Sequence, residues 1–176
     1  TNLQDDIANF FGVKVFNVLT GFKFIGQKIR EFEDDKSYQY LFGGEESYGY
    51  LTGIHARDKD AISATLMIAE VAAYLKSKNQ TFTSYLEEIY SKFGYYDEAT
   101  VSKTIKGLKG IEVIKKIMEH FRNEKVEKIG GIKVIKRVDY KNDRVFDAEG
   151  SKYTLPSSDV IQYFLEEGSK ITLRPS

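Results

Sequence analysis

The sequence predicts a two-part chain, a helix-rich α/β piece up to Gly94 followed by a small α+β domain with an antiparallel sheet. Three patterns predict it. The aromatic run at residues 38–42 reads as a strand that delivers the chain into Gly43-Gly44-Glu45-Glu46-Ser47, and a strand emptying into a glycine-rich polar loop is how an α/β sheet presents ligand-binding groups. Residues 60–78 carry apolar side chains over a wide helical arc, with Ile62, Leu66, Ala69 and Ala73 on one face and Ala61, Ile68, Ala72 and Leu75 on the next. Such an arc predicts a well-buried helix. Beyond the amphipathic stretch 108–123 the apolar period shortens to two, the signature of strands.

Taken in order, Leu3, Ile7, Phe10 and Phe11 fall at helical spacing, and Gly12 stands where a helix commonly stops. Residues 13–18 read as a short strand. Thr20-Gly21 makes a turn, after which Phe22, Ile25 and Ile29 continue as a helix running into the charged segment 31–36, read as a solvated helix end and loop. Asp60 is placed to cap the long helix by accepting amide hydrogens of its first turn. A second helix is expected over 85–93, where Ser84 and Glu87 have capping-box spacing and Gly94 ends it. Residues 95–105 look extended. The helix at 108–123 turns Ile111, Ile114, Ile117, Met118 and Phe121 inward. Ile132, Val134 and Lys136 then alternate with their neighbours, Lys141-Asn142-Asp143 turns the chain, and Val145-Phe146 answers across a hairpin. Residues 160–165 and 171–174 form another pair around Glu167-Gly168-Ser169. These signals divide the chain into residues 1–94 and 95–176.

At 176 residues with 41% apolar content and zero net charge, the composition is that of globular material large enough for two small cores. No run approaches the length of a membrane span, and the start TNLQDD lacks a basic-then-apolar leader, so neither a membrane nor export is expected. The absence of cysteine excludes disulfides and thiolate metal sites and fits a reducing cytoplasm. Residues 1–96 hold 10 basic and 13 acidic side chains, whereas 97–176 hold 16 and 13. That bias is far too weak for a nucleic-acid footprint but has the sign that favours a small anion such as a phosphate ester.

The chemistry concentrates in residues 42–60, FGGEESYGYLTGIHARDKD. Glu45 and Ser47, two residues apart in an extended turn, project to one side and suit two vicinal hydroxyls; a solvent-facing acidic turn explains the same spacing. His55, Arg57, Asp58, Lys59 and Asp60 stand just before a helix N-terminus, where cations and free amides together make an anion site. The alternative is a plain helix start, with Asp60 capping and Arg57 paired to Asp58 at the surface. His120, beside Phe121 in an amphipathic helix, reads as structural. The terminal Arg174-Pro175-Ser176 follows a strand abruptly and suggests an excised piece.

FGGEESYGYL followed by RDKDAI, with TGFKFIG upstream and ITLRPS at the end, closely resembles the α-D-phosphohexomutases, particularly their phosphoglucomutase branch. Four motifs agree in order and spacing over essentially the whole chain. The resemblance implies part of the third, sugar-binding α/β/α domain followed by a fourth, phosphate-binding domain truncated in its phosphate loop. It implies that Glu45 and Ser47 contact the sugar 3- and 4-hydroxyls, that Thr20 and Gly21 form a neighbouring substrate-contact turn, and that Lys59 contacts sugar or transfers a proton, with His55 and Arg57 close by. Arg174 and Ser176 match the start of the phosphate loop.

The same resemblance implies a parent enzyme, a phosphoglucomutase or phosphomannomutase, that interconverts hexose 1- and 6-phosphates through an enzyme phosphoserine and a hexose 1,6-bisphosphate. Its serine loop and the three aspartates of its Mg2+ site have no counterpart in these residues. The chain alone is therefore expected to be inactive, with the missing N-terminal domains and a small sugar phosphate as its partners. A stand-alone sugar-phosphate-binding protein, or a phosphomanno- or phosphopentomutase specificity, is the rival expectation.

Overall fold

The computed structural model describes residues 2–175. The chain divides into two compact units, Thr1–Glu98 and Ala99–Ser176.

The first unit is built on α2 (Phe22–Asp35), which follows α1 (Asn2–Phe10) and the turn at Gly21. Phe22, Ile25, Ile29 and Phe32 recur at three- and four-residue spacing and are buried on one face of α2. Lys28 is buried with them, its ammonium bonded to Glu31 at 2.5 Å. Gly26 lies on the same face because an added Cβ would stand 2.5 Å from the carbonyl oxygen of Arg57. The helix ends on Lys36, whose left-handed backbone (φ 56) returns its N–H to the Phe32 carbonyl. Against this face packs an antiparallel hairpin, β1 (Phe42–Gly44) and β2 (Tyr50–Thr52), with Phe42 opposite Thr52 and Gly44 opposite Tyr50. Phe22, Ile25, Ile29 and Leu51 form the core, flanked by Val18, Tyr40 and Ala56. Tyr40 donates its hydroxyl to the Leu51 carbonyl at 3.0 Å, and burial pushes its pKa up to about 12, so it stays a neutral donor.

Several expectations change here. Residues 13–18 carry no strand ladder: Phe16 instead packs on Phe32 and Tyr38, with ring centroids 4.9 and 5.0 Å away. The aromatic run 38–42 contributes only Phe42 to a strand, because Tyr38 and Tyr40 are committed to packing on α2 and to the Leu51 carbonyl. The charge run 31–36 is not simply solvated, since Glu31 holds Lys28 and Glu33 holds Arg57.

Asp60 caps α3 (Ala61–Ser77) as expected, accepting from the amides of Ile62 and Ser63. The helix itself is not well buried. Among its described residues only Leu75 is buried, while Ile62, Leu66 and Ile68 are 82%, 63% and 55% exposed. Within this chain α3 touches β2 and α4 (Phe82–Phe93), which together cover little of an arc that is apolar nearly all round. α4 begins earlier than its pattern suggested. Thr81 is the cap and Ser84 its reciprocal partner, so Ser84 is the third helical residue rather than the start of a box with Glu87. Residues 95–105 form no strand.

The second unit packs α5 (Leu108–Asn123) on a four-stranded antiparallel sheet, β3 (Lys128–Ile129), β4 (Ile132–Asp139), β5 (Ile161–Leu165) and β6 (Lys170–Leu173), in the order β3-β4-β5-β6. β5 is central, and its alternation puts Ile161, Tyr163 and Leu165 inside. Met118 of α5 meets Ile161 and Tyr163, and the Tyr163 hydroxyl donates to the Phe121 carbonyl at 2.8 Å. The inward face of α5 is narrower than the periodicity implied, since Ile111 and Ile117 are exposed. Val145-Phe146 does not form the second arm of a hairpin. β4 pairs with β5, and Phe146 makes an isolated bridge with Thr154. The reason lies at the end of β4. Asp139, 1% exposed, takes the Arg122 guanidinium at 2.9 Å, the Lys141 amide and the Asn142 side chain, and so stops the strand in a fixed turn.

Candidate functional site

The polar stretch singled out in the sequence is the tip of the β1–β2 hairpin and the segment that follows it. Residues 45–49 close on themselves: the Glu45 amide donates to the Gly49 carbonyl at 2.9 Å and the Tyr48 amide to the Glu45 carbonyl at 3.2 Å. Glu45 is half-buried because its Oε1 accepts the Gly21 amide at 2.9 Å, across 24 residues of sequence. That bond joins the hairpin tip to the Thr20-Gly21 turn at the start of α2. Ser47 is exposed, and its hydroxyl has no partner among the described residues.

Lys59 also reaches this tip. A Cβ at Gly49 would stand 2.9 Å from Lys59 Cδ and 3.2 Å from Glu45 Oε2, so only glycine lets the lysine stem and the carboxylate flank the turn this closely. The Lys59 ammonium lies 3.2 Å from Asp58 and 5.8 Å from the Phe22 ring centroid. Asp58 is held below the usual carboxylate range by the Lys59 amide and then by its side chain.

His55 and Arg57 are engaged elsewhere. His55 Nε2 lies 2.9 Å from Asp60 Oδ2, and this contact, with the Ser63 and Ile62 amides, holds the Asp60 carboxyl far below its ordinary pKa. Arg57 grips both oxygens of Glu33 at 2.6 and 2.7 Å and donates to the carbonyls of Ile54 and Ala56. The surface pair of Arg57 with Asp58 offered by the alternative reading is thus replaced by a fork-to-fork pair with α2. An open hollow of about 790 Å3 is lined by His55, Arg57, Lys59, Asp60 and Leu66 among others, whereas Glu45 and Ser47 lie outside it. The hollow belongs to the helix-start side of the segment and the Glu45–Ser47 tip to the other, with Lys59 common to both.

Arg174 is an exposed residue just after β6, in the second unit, and Ser176 lies outside the described residues. His120 is exposed at the end of α5 and packs edge-on to Phe121. Glu33 and Gly49 were not anticipated from the sequence. Glu33 sits in an ordinary-looking charge run, and Gly49 is one of several glycines whose close neighbours come from distant positions. Among the described residues no three His, Asp or Glu side chains come together as a metal site, and no helix is long and apolar enough to cross a membrane.

The hairpin tip brings a carboxylate, a hydroxyl and a lysine together on a mixed α/β unit, and sequence comparison gives the family of that unit. Residues 1–93 match the phosphoglucomutase/phosphomannomutase family at its alpha/beta/alpha domain III. The chain belongs to that family. It is 38% identical to a phosphoglucomutase of Staphylococcus saprophyticus and 37% identical to one of Staphylococcus aureus, in each case along its full length. It spans 32% of the length of those relatives.

Proposed function

We propose that this chain is the sugar- and phosphate-recognising portion of a cytoplasmic phosphohexomutase that interconverts hexose 1-phosphate and hexose 6-phosphate, with glucose favoured. Residues 1–94 form the sugar-binding part and residues 95–176 the phosphate-binding part. The observation that carries the reading is the Glu45–Gly21 hydrogen bond, because it turns two motifs far apart in sequence into one surface. With Oε1 held by that amide, Oε2 is the oxygen left to accept a sugar hydroxyl, and the unpartnered Ser47 hydroxyl takes its neighbour. Thr20 and Gly21 border the same surface. Lys59 supplies a cation that contacts sugar or passes a proton. His55 and Arg57 keep their segment in place through Asp60 and Glu33, and from there face the bound ligand.

In this reading a phosphoserine elsewhere in the parent donates its phosphoryl group to one sugar oxygen. The resulting hexose 1,6-bisphosphate turns about and returns its other phosphoryl to the serine, so the net reaction is an isomerisation. Vicinal hydroxyls suit such a turn because one grip serves both orientations. Arg174 and Ser176 hold the phosphate that is not reacting; arginine suits this through its planar donors and permanent charge. The Mg2+ of the reaction does not fit the described residues, which offer no ligand cluster, and is assigned to the remainder of the parent together with the serine. That remainder is also the chain's expected partner. In the full-length protein Glu45→Ala should lower kcat/KM for glucose 1-phosphate by about 10- to 100-fold while leaving the melting temperature nearly unchanged. Unaltered kinetics would remove Glu45 from the site, and parallel assays with mannose and pentose phosphates decide the sugar.

A further inference from the structure

We infer that Tyr48 is the stacking face of the sugar site, meeting the CH-bearing face of a pyranose while Glu45 and Ser47 take its hydroxyl edge. The inference rests on the reading of Glu45 and Ser47 given above and adds a residue to it. Three described non-glycine residues have positive φ: Lys36, Tyr48 and Asn79. Two of them end helices. Lys36 and Asn79 follow the last turns of α2 and α3, where a left-handed residue returns its N–H to a free helical carbonyl. Tyr48, at φ 63, ends no helix but is the left-handed residue that closes the Glu45–Tyr48 turn of the hairpin. It sits at the hairpin tip, where glycine or asparagine would make the same turn without forcing a bulky side chain into a sparsely allowed region.

Packing among the described residues does not account for the tyrosine. Its side chain is 87% exposed. It has no ring or hydrogen-bond partner among the described residues. Its neighbours differ: Tyr50 stacks on Phe42 at 6.0 Å, and Tyr40 bonds the Leu51 carbonyl. A strained backbone position that presents a bare ring points to a ligand contact, the direction in which strain is properly read. The placement fits the ligand class. A pyranose carries its hydroxyls at the edge and apolar C–H bonds on its faces, and tyrosine offers a rigid apolar face with little rotamer entropy to lose. The closed turn at 45–49 fixes the backbone that carries this ring between the Glu45 and Gly49 contacts.

The test uses the full-length protein with Tyr48→Gly, Tyr48→Phe and Glu45→Ala. Glycine adopts φ 63 without strain, so Tyr48→Gly should keep or raise the melting temperature. It should also raise KM for hexose 1-phosphate by about 2- to 10-fold at unchanged kcat, the signature of a contact made equally in ground and transition states. Tyr48→Phe should behave as wild type, since the ring and not the hydroxyl makes the contact. Wild-type KM in Tyr48→Gly overturns the inference, and a lowered melting temperature with that KM identifies Tyr48 as a turn residue only. If Glu45→Ala impairs turnover in the same experiment, the stacking role alone has failed. If Glu45→Ala is also silent, the sugar-site reading beneath it has failed too.

Discussion

Asp139 shows how one side chain sets both a strand end and a pH limit. It is nearly fully buried, and burial by itself raises a carboxyl pKa. The Arg122 guanidinium, the Lys141 amide and the Asn142 side chain outweigh that effect and hold Asp139 below its ordinary value. Burial likewise opposes the charge of Arg122, and its bonds to Asp139 and Asp159 more than restore it. A carboxyl whose pKa is depressed by folding stabilises the native state above its unfolded pKa of about 3.9, and that contribution is lost as pH falls through the lower folded value. The second unit should therefore lose stability steeply below about pH 4. Asp139→Asn should remove that part of the slope and destabilise by about 3 kcal/mol at neutral pH, since it leaves Arg122 poorly compensated. Acid and denaturant titrations followed by tyrosine near-UV circular dichroism check both; an unchanged acid slope in the variant would show that other carboxyls set it.

At the scale of the element, α2 is the frame on which the site hangs. Its first residue follows the Gly21 amide that holds Glu45, its last turn supplies Glu33 to Arg57, and its apolar face holds the hairpin. The close approach at Gly26 is what brings the Arg57 backbone onto that face. Gly26→Ala would ordinarily strengthen a helix by up to about 1 kcal/mol. Here the new methyl meets a backbone carbonyl that has little room to move, and overpacking of this kind costs about 1–3 kcal/mol. Net destabilisation is expected, visible as a lower denaturation midpoint with an unchanged slope. A stabilised variant would mean that the Arg57 segment yields easily.

On the scale of the whole molecule, the surface of α3 is the unfinished part. Ile62, Leu66 and Ile68 face solvent on a helix with few charges, and the chain spans only 32% of its relatives' length. The prediction is that in the proposed parent the remainder of the polypeptide covers this face. Leu66→Glu should then act in opposite directions. In the isolated chain it should reduce binding of a hydrophobic dye and improve solubility; in the full-length protein it should destabilise by about 1.5–3 kcal/mol, the value of a buried leucine. Tolerance of Leu66→Glu in the full-length protein would show that this face remains in water there.

The division between what the sequence determined and what only tertiary structure decided follows the range of the interactions. Helix α5, the cap at Asp60 and the end of α4 at Gly94 were legible because a helix closes its hydrogen bonds within four residues, so its signals lie side by side. The motifs at 43–47 and 57–60 pointed to the family for the same reason, since loop chemistry is written contiguously. Strand pairing was not local information: residues 13–18 have strand composition but no ladder, and Phe146 found Thr154 rather than β4. Nor did composition reveal that Glu45 would bind the Gly21 amide, that Arg57 would choose Glu33 over Asp58, or that α3 would stand largely bare. These outcomes depend on which distant groups the folded chain brings together, and in this chain they decided how the legible motifs are arranged in space.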